Sequence, residues 1–184
     1  MKQQTLPKIS KTIVLVGLMG AGKTCIGQRL AKVLSLPFVD ADDEIEKAAG
    51  CSISDIFDLY GEPKFRDGEK KVISRLLDDP IHVLATGGGA FVNRDTRERI
   101  KKNAISIWIR ADIELLLSRT RSRNTRPLLK NTNPRAKLRQ LIDQRYPSYR
   151  QADIVIDSGY ETPDITVKQV ISALETFNLS SLDR

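Results

Sequence analysis

The chain has 184 residues, of which 40% are hydrophobic and 29% are charged, and its net charge is +7. This length and balance suit one globular α/β domain, here taken as residues 1–184, with a core of its own. No apolar run approaches the roughly 20 residues that cross a bilayer, the N-terminus lacks the apolar segment of a signal peptide, and two cysteines are too few for a disulfide framework. We therefore expect a cytoplasmic protein.

Short apolar segments alternate with segments of helical periodicity along the chain. Strands are predicted at 12–16, 37–40, 81–86, 105–109 and 154–156. Helices are predicted at 25–34, 42–50, 52–60, 62–77, 93–102, 112–117, 134–150 and 163–177. This alternation predicts a three-layer α/β/α fold, in which a parallel sheet is covered on both faces and substrates bind at the carboxyl ends of the strands.

Several local features refine this outline. Residues 1 to about 10 are predicted to form a flexible arm, and the polar stretch at 122–133, which lacks periodicity, is predicted to be a mobile loop. Asp42 is expected at the start of the second helix, and Pro147 is expected to interrupt the end of the helix that begins at Pro134. His82, the only histidine, is expected to pack within the third strand and to take no part in catalysis.

The stretch GLMGAGKT, from Gly17 to Thr24, fits the phosphate-binding pattern G-x-x-x-x-G-K-[ST]. It lies between a predicted strand and a predicted helix, which is the context that this motif requires. The loop amides and the following helix would bind phosphate oxygens, Lys23 would reach the β- and γ-phosphates, and the Thr24 hydroxyl would bind Mg²⁺. The motif predicts a nucleoside triphosphate site but does not specify the reaction.

Two carboxylates and three glycines follow the next two strands. Asp40 and Asp42 can divide two tasks between them, since one carboxylate can hold Mg²⁺ and the other can orient or deprotonate an attacking hydroxyl. The third strand ends in Gly87-Gly88-Gly89, where NTP-hydrolysing machines carry an aspartate. This argues against a motor-type ATPase and favours a small-molecule site beside the phosphates, and the lack of an N-K-x-D motif disfavours a GTPase.

The basic charge balance is compatible with nucleic acid or with anionic small molecules. Arginines recur from Arg94 to Arg150, and Arg66, Arg126 and Arg145 stand where a kinase would use them for phosphates or a carboxylate. Aromatic residues make up only 5% of the chain, so stacking platforms for single-stranded nucleic acid are poorly supplied. We therefore expect small-molecule substrates, with no nucleic-acid or membrane partner.

Six motifs together resemble the shikimate kinase family: GLMGAGKT, DAD from Asp40, FRDGE from Phe65, TGGGA from Thr86, TRPLL from Thr125 and RYPSY from Arg145. They occur in the family's order and span roughly 13–156. The resemblance implies a P-loop kinase fold like that of the nucleoside-monophosphate kinases, with a five-stranded parallel sheet ordered 2-3-1-4-5 and a mobile lid. It also implies transfer of the γ-phosphate of MgATP to the 3-hydroxyl of shikimate, on the route to chorismate and the aromatic amino acids.

The resemblance further assigns roles to residues. Asp42 contacts the shikimate hydroxyls and is the candidate base, Asp40 helps Thr24 to place Mg²⁺, and Lys23, Asp42 and Arg126 form the catalytic set. The implied substrate-binding residues are Asp42, Arg66, Gly87, Gly88, Gly89 and Arg145, with the two arginines on the carboxylate. The implied ATP-binding residues are Gly20, Ala21, Gly22, Lys23, Thr24, Cys25, Arg119 and Arg126, with Arg119 at the adenine and Arg126 on the lid.

The chain departs from the family pattern at two positions. Cys25 replaces the usual Ser or Thr, and Ser148 replaces the common Leu of the R-x-P-L-Y motif. Two alternatives remain open, namely a kinase similar to the gluconate kinases and a basic P-loop protein that binds nucleic acid. No large apolar helix face is left over, so we expect a monomer.

Overall fold

The computed structural model describes residues 7, 9–120 and 133–182. The strands are β1 Thr12–Val16, β2 Phe38–Asp40, β3 Val83–Ala85, β4 Ala104–Arg110 and β5 Ile154–Asp157. The helices are α1 Lys23–Leu34, α2 Ala41–Ala49, α3 Ile53–Leu76, α4 Arg94–Asn103, α5 Ile113–Thr120, α6 Pro134–Tyr149 and α7 Pro163–Leu182, with a 3₁₀ turn at Ala90–Val92. The predicted loop at 122–133, except Asn133, and most of the predicted arm at 1–10 lie outside the described residues.

The five strands form one sheet with the order β2-β3-β1-β4-β5, which confirms the predicted topology. All neighbouring strands are parallel, and Val14 in the centre of β1 is in register with Leu84 of β3 and Ser106 of β4. Every residue of β1 is buried, as expected for a central strand with helices on both faces. The carboxyl ends of all five strands therefore meet at one edge, and the P-loop follows the central one.

Several helix boundaries follow the sequence closely. Ser52 begins α3 with a reciprocal capping box to Asp55, and the side chains of Asn93 and Asn133 accept hydrogen bonds from the first turns of α4 and α6. Gly50 ends α2 in the left-handed conformation, with φ of 70°. These caps have short polar side chains or glycine at the positions that helix ends favour, so they could be predicted.

The start of α2 was placed wrongly, because Asp40 and not Asp42 caps this helix. Asp40 has extended backbone angles, and its Oδ1 accepts a hydrogen bond of 3.1 Å from the Asp42 amide. Asp42 lies in the first helical turn. The correction matters for the site, since the cap fixes the Asp40 carboxylate in place.

One further boundary and one local expectation were also wrong. Strand β3 covers only Val83–Ala85, so His82 precedes the strand, and its Nδ1 lies 2.7 Å from the Pro80 carbonyl oxygen. Helix α6 ends at Tyr149, within one residue of the predicted end, but Pro147 does not interrupt it. A proline in the last turn removes one backbone hydrogen bond, and the complete burial of the Tyr149 side chain offsets that loss.

Helix α3 contains a break at Gly61, between the two helices that the sequence predicted at 52–60 and 62–77. Gly61 has φ of 78° and ψ of 169°, so two helical segments meet there, and Arg66 and Glu69 lie on the second. Within the described ranges, none of the helices combines the length and the apolar character needed to cross a membrane.

Candidate active site

The P-loop is packed closely against the neighbouring elements. Gly17 has φ of 139°, and a Cβ there would lie 2.5 Å from the Ile109 carbonyl oxygen. Gly20 has φ of 84°, and a Cβ there would lie 3.1 Å from the Leu116 carbonyl oxygen. Glycine is required at both positions by conformation and by space. The loop is therefore held between the end of β4 and helix α5.

Lys23 lies across this loop. Its Nζ donates hydrogen bonds to the carbonyl oxygens of Gly17, at 2.7 Å, and Leu18, at 3.0 Å. Its positive charge also acts on the Asp42 carboxylate, whose pKa it lowers. The ammonium group thus lies between the P-loop and the carboxylate that follows β2.

Thr24 and Asp40 form the part of the site that suits a divalent cation. The Thr24 hydroxyl donates a 2.9 Å hydrogen bond to Oδ2 of Asp40, while Oδ1 of Asp40 caps α2. Among the described residues no group of three or more His, Cys, Asp and Glu side chains could enclose a metal. Mg²⁺ usually takes one or two carboxylates together with substrate phosphates and water, so this open pair of oxygen ligands fits it.

The surroundings of the Asp42 carboxylate disfavour its ionised form. Its pKa is raised to about 6, mainly by burial and also by the Asp40 charge, while the Lys23 charge acts in the opposite direction. A carboxylate whose pKa lies closer to neutrality is a better proton acceptor than an ordinary aspartate.

Arg66 and Glu69 face the glycines after β3. Nη1 of Arg66 lies 2.7 Å from Oε2 of Glu69, and a Cβ added to Gly89 would lie 2.5 Å from Cζ of Arg66. A Cβ added to Gly87 would lie 2.6 Å from Oε1 of Glu69 and 3.1 Å from Oδ1 of Asp42. Because these glycines have no side chains, Arg66, Glu69 and Asp42 can occupy the space beside them.

Glu69 is a site residue that the sequence did not single out. Its side chain is only 3% exposed, and its Oε1 has no hydrogen-bond partner. Burial raises the pKa of Glu69 above its ordinary value, although the charges of Arg66 and Arg145 oppose this. The acid lay within the FRDGE motif, but only the fold places it between two arginines.

Arg145 reaches the same glycines from α6. It is 7% exposed, and a Cβ added to Gly88 would lie 3.0 Å from its Nη1. Arg66 and Arg145 therefore approach the glycines after β3 from two different helices. Two guanidinium groups at one site are suited to hold a carboxylate.

Arg119 joins the P-loop to the segment after β5. Its Nη2 donates to the Gly159 carbonyl oxygen at 3.0 Å, and its Nη1 lies 3.3 Å from the Ser158 hydroxyl and 3.4 Å from the Ala21 carbonyl oxygen. This arginine borders the phosphate loop on the side away from the glycines after β3. Such a position suits the base of a nucleotide.

The structure thus brings together nearly all the residues that the sequence proposed for the site. The exception is Arg126, which lies outside the described residues. Cys25 belongs to the first turn of α1, where its Sγ accepts a hydrogen bond from Arg29. A P-loop, a buried carboxylate with a raised pKa and two convergent arginines at one sheet edge define an ATP-dependent phosphotransferase for a small molecule.

Comparison with known proteins narrows this class to one family. A family model for shikimate kinase matches residues 19–175. A shikimate kinase of Paramagnetospirillum magneticum is 59% identical over 170 residues, which cover 92% of this chain and 87% of the relative. One of Caulobacter vibrioides is 53% identical over 168 residues, covering 91% and 84%. The chain belongs to the shikimate kinase family.

A solved structure agrees with this assignment. Shikimate kinase from Acinetobacter baumannii, in complex with shikimate, superposes with a TM-score of 0.87 and 38% identity, covering 94% of this chain and 95% of that one. The family assignment is therefore preferred over the two alternatives that the sequence left open.

Proposed function

We propose that this chain transfers the γ-phosphate of MgATP to the 3-hydroxyl of shikimate, giving shikimate 3-phosphate and ADP. The observation that carries the proposal is the position of Asp42, between the Thr24–Asp40 pair and the glycines that Arg66 and Arg145 approach. A hydroxylated acid bound there presents its carboxylate to the arginines and a hydroxyl to Asp42. The Acinetobacter baumannii relative binds shikimate, which supports the same acceptor here.

In the proposed reaction, the acceptor hydroxyl loses its proton to the Asp42 carboxylate. The oxygen forms a bond to the γ-phosphorus while the bond to the β-phosphate oxygen breaks, which releases ADP. Lys23 stabilises the negative charge on the transferred group, and Arg126 is proposed to do the same from the lid. Arg119 is proposed to border the adenine.

The remaining assignments concern the nucleotide. Thr24 and Asp40 would hold Mg²⁺, which supplies charge neutralisation to the phosphates when it is bound. The backbone from Gly20 to Cys25 would cradle the phosphates through its amides at the start of α1.

The product tests the proposed function directly. The protein is incubated with MgATP and shikimate, and the phosphorylated product is analysed by two-dimensional ³¹P–¹H NMR. A correlation between phosphorus and the proton on carbon 3 is expected. A phosphate on another hydroxyl, or none, would refute the proposed reaction.

Replacing Arg66 with alanine is expected to raise the KM for shikimate by about 10-fold or more, because a charge-assisted contact to the carboxylate is lost. The KM for ATP should change far less. Steady-state kinetics with each substrate varied in turn measures the two values. Equal effects on both would show that Arg66 is structural.

Two further variants keep this test interpretable. Removing Arg66 deprives the buried Glu69 carboxylate of its ion-pair partner, which can cost about 3–5 kcal/mol of stability. Arg66→Lys retains a positive charge but loses the forked geometry, so it should fold and still raise the KM for shikimate. Arg94→Ala removes an arginine whose side chain is 81% exposed and should leave both KM values unchanged.

Replacing Gly89 with alanine is expected to raise the KM for shikimate, because the new methyl group would displace Arg66. The new Cβ would lie 2.5 Å from Cζ of Arg66, so the guanidinium must move. Gly68→Ala is the matched control, since no atom beyond its chain neighbours and the backbone of its own helix lies within 4 Å of the new Cβ. It should leave the kinetics unchanged and stabilise α3 by about 0.5–1 kcal/mol, as measured by urea unfolding. Equal kinetics of the two variants would contradict the packing of Arg66 on Gly89.

A further inference from the structure

Two tyrosines at the end of α6 differ in what their hydroxyls contact. Tyr149 is completely buried, and its hydroxyl donates a hydrogen bond to the Gly88 carbonyl oxygen. Tyr146 donates to the Ala111 carbonyl oxygen at 2.9 Å, away from the glycines. Both rings pack on Trp108, with centroid distances of 5.7 Å for Tyr149 and 4.8 Å for Tyr146. The helix therefore offers a tyrosine at the site and a matched one outside it.

Arg145, which lies one helical turn before Tyr149, reaches the same glycine. The Tyr149 hydroxyl donates to the Gly88 carbonyl oxygen, and Nη1 of Arg145 would lie 3.0 Å from a Cβ added to Gly88. The Arg145 charge is close enough to lower the pKa of Tyr149. The arginine and the tyrosine therefore both pack against Gly88.

Gly88 is placed where a small displacement would matter. A Cβ added to it would lie 3.0 Å from Nη1 of Arg145, 3.4 Å from the Gly17 carbonyl oxygen and 3.6 Å from the Met19 amide nitrogen. Its backbone therefore lies between the arginine and the start of the P-loop. A hydrogen bond that holds the Gly88 carbonyl therefore also holds the distance between Arg145 and the P-loop.

The surroundings keep Tyr149 in the donating form. Burial raises the pKa of Tyr149 to about 12, although the Arg145 charge opposes this. The hydroxyl thus remains protonated at the pH values at which enzymes are assayed. Its contacts are made inside the protein, so it does not itself need to touch a substrate.

We propose that Tyr149 is a positioning residue for the acceptor, which holds the Arg145 guanidinium and the Gly88 backbone in the arrangement that binds a carboxylate. This inference rests on the proposed function, in which Arg145 binds the carboxylate of shikimate. Tyr149 acts through its hydroxyl group, and its ring serves only for packing.

The test compares Tyr149→Phe with Tyr146→Phe, since each removes one hydroxyl from the same aromatic cluster. Tyr149→Phe is expected to raise the KM for shikimate by about 10-fold, the effect of losing a hydrogen bond in a charged network, and to leave the KM for ATP within about twofold. Tyr146→Phe should leave both values within about twofold. Thermal unfolding followed by the fluorescence of Trp108, the only tryptophan, verifies that both variants are folded.

A double-mutant cycle with Arg145→Ala separates this inference from the proposed function. If Tyr149 acts through Arg145, then Tyr149→Phe should have little further effect on the KM for shikimate once Arg145 is alanine. Additive effects would overturn the positioning role. A large effect of Arg145→Ala with none of Tyr149→Phe would overturn it too, while leaving the proposed function intact. If neither variant changes this KM, both the inference and the carboxylate assignment are wrong.

Discussion

Asp42→Asn is expected to lower kcat by about 10²–10⁴-fold, the usual contribution of a general base. Asparagine has nearly the same shape as aspartate but cannot accept the hydroxyl proton. The KM for ATP should change little, because the proposed nucleotide contacts are those of the P-loop and Arg119 and do not involve Asp42. A coupled assay of ADP release with saturating shikimate measures kcat. A variant that keeps more than half of the wild-type kcat would show that Asp42 only orients the acceptor.

Asp42→Asn should also be more stable than wild type, because the pKa of Asp42 is higher in the folded state. Folding raises the pKa of Asp42 from 3.8 to about 6, so the folded state prefers the neutral acid. The ionised carboxylate therefore destabilises the fold above pH 6, and this penalty disappears below pH 4. Each pKa unit corresponds to about 1.4 kcal/mol, so Asp42→Asn should raise the free energy of unfolding by up to about 3 kcal/mol at pH 8.

Urea unfolding in metal-free buffer at pH 8 and near pH 4 measures this gain. The stability difference between variant and wild type should be largest at pH 8 and nearly absent at the lower pH. Asp58→Asn, at an exposed position on α3, is a control for the loss of one negative charge. If Asp42→Asn were less stable than wild type at pH 8, the ionised Asp42 carboxylate would not destabilise the folded state.

Lys23→Ala is expected to lower kcat/KM for ATP by about 10²–10³-fold or more, since a preorganised positive charge on the transferred phosphate is lost. The fold should persist, because the core around β1 and α1 is built from apolar side chains such as Ile13, Leu15 and Leu30. Circular dichroism and the melting temperature verify the fold. Lys70→Ala, which removes an exposed lysine paired with Asp95, should behave as wild type. Normal turnover by Lys23→Ala would refute the P-loop assignment.

The sheet and the phosphate loop could be predicted because their signals are local. A β-branched apolar run before GLMGAGKT can only be a strand in the P-loop context, and alternation of strands with helices implies a parallel sheet. The strand order 2-3-1-4-5 came from the resemblance to a family, since strand pairing depends on contacts that are distant in sequence. The helix caps were predicted where only one capping side chain is available near the start of the helix, as at Asn93.

The errors arose where two candidate residues stood close together or where packing outweighed a local preference. Asp40 and Asp42 are both good caps, and only the backbone shows that Asp40 takes this role while also binding Thr24. Pro147 is expected to interrupt the last turn of α6, yet the helix continues through it to Tyr149, whose side chain is buried. Glu69 could not be distinguished from an ordinary surface acid, because it packs against Gly87, which is distant in sequence.

The most direct test of the central claim is ADP release from MgATP with shikimate, with gluconate or without an acceptor, measured in parallel. We expect release that depends on shikimate, with gluconate giving no more than the background. Release with gluconate alone would retain the kinase fold and refute the acceptor. Release of equal rate without any acceptor would contradict the account, because Asp42, Arg66 and Arg145 would then have no substrate to bind.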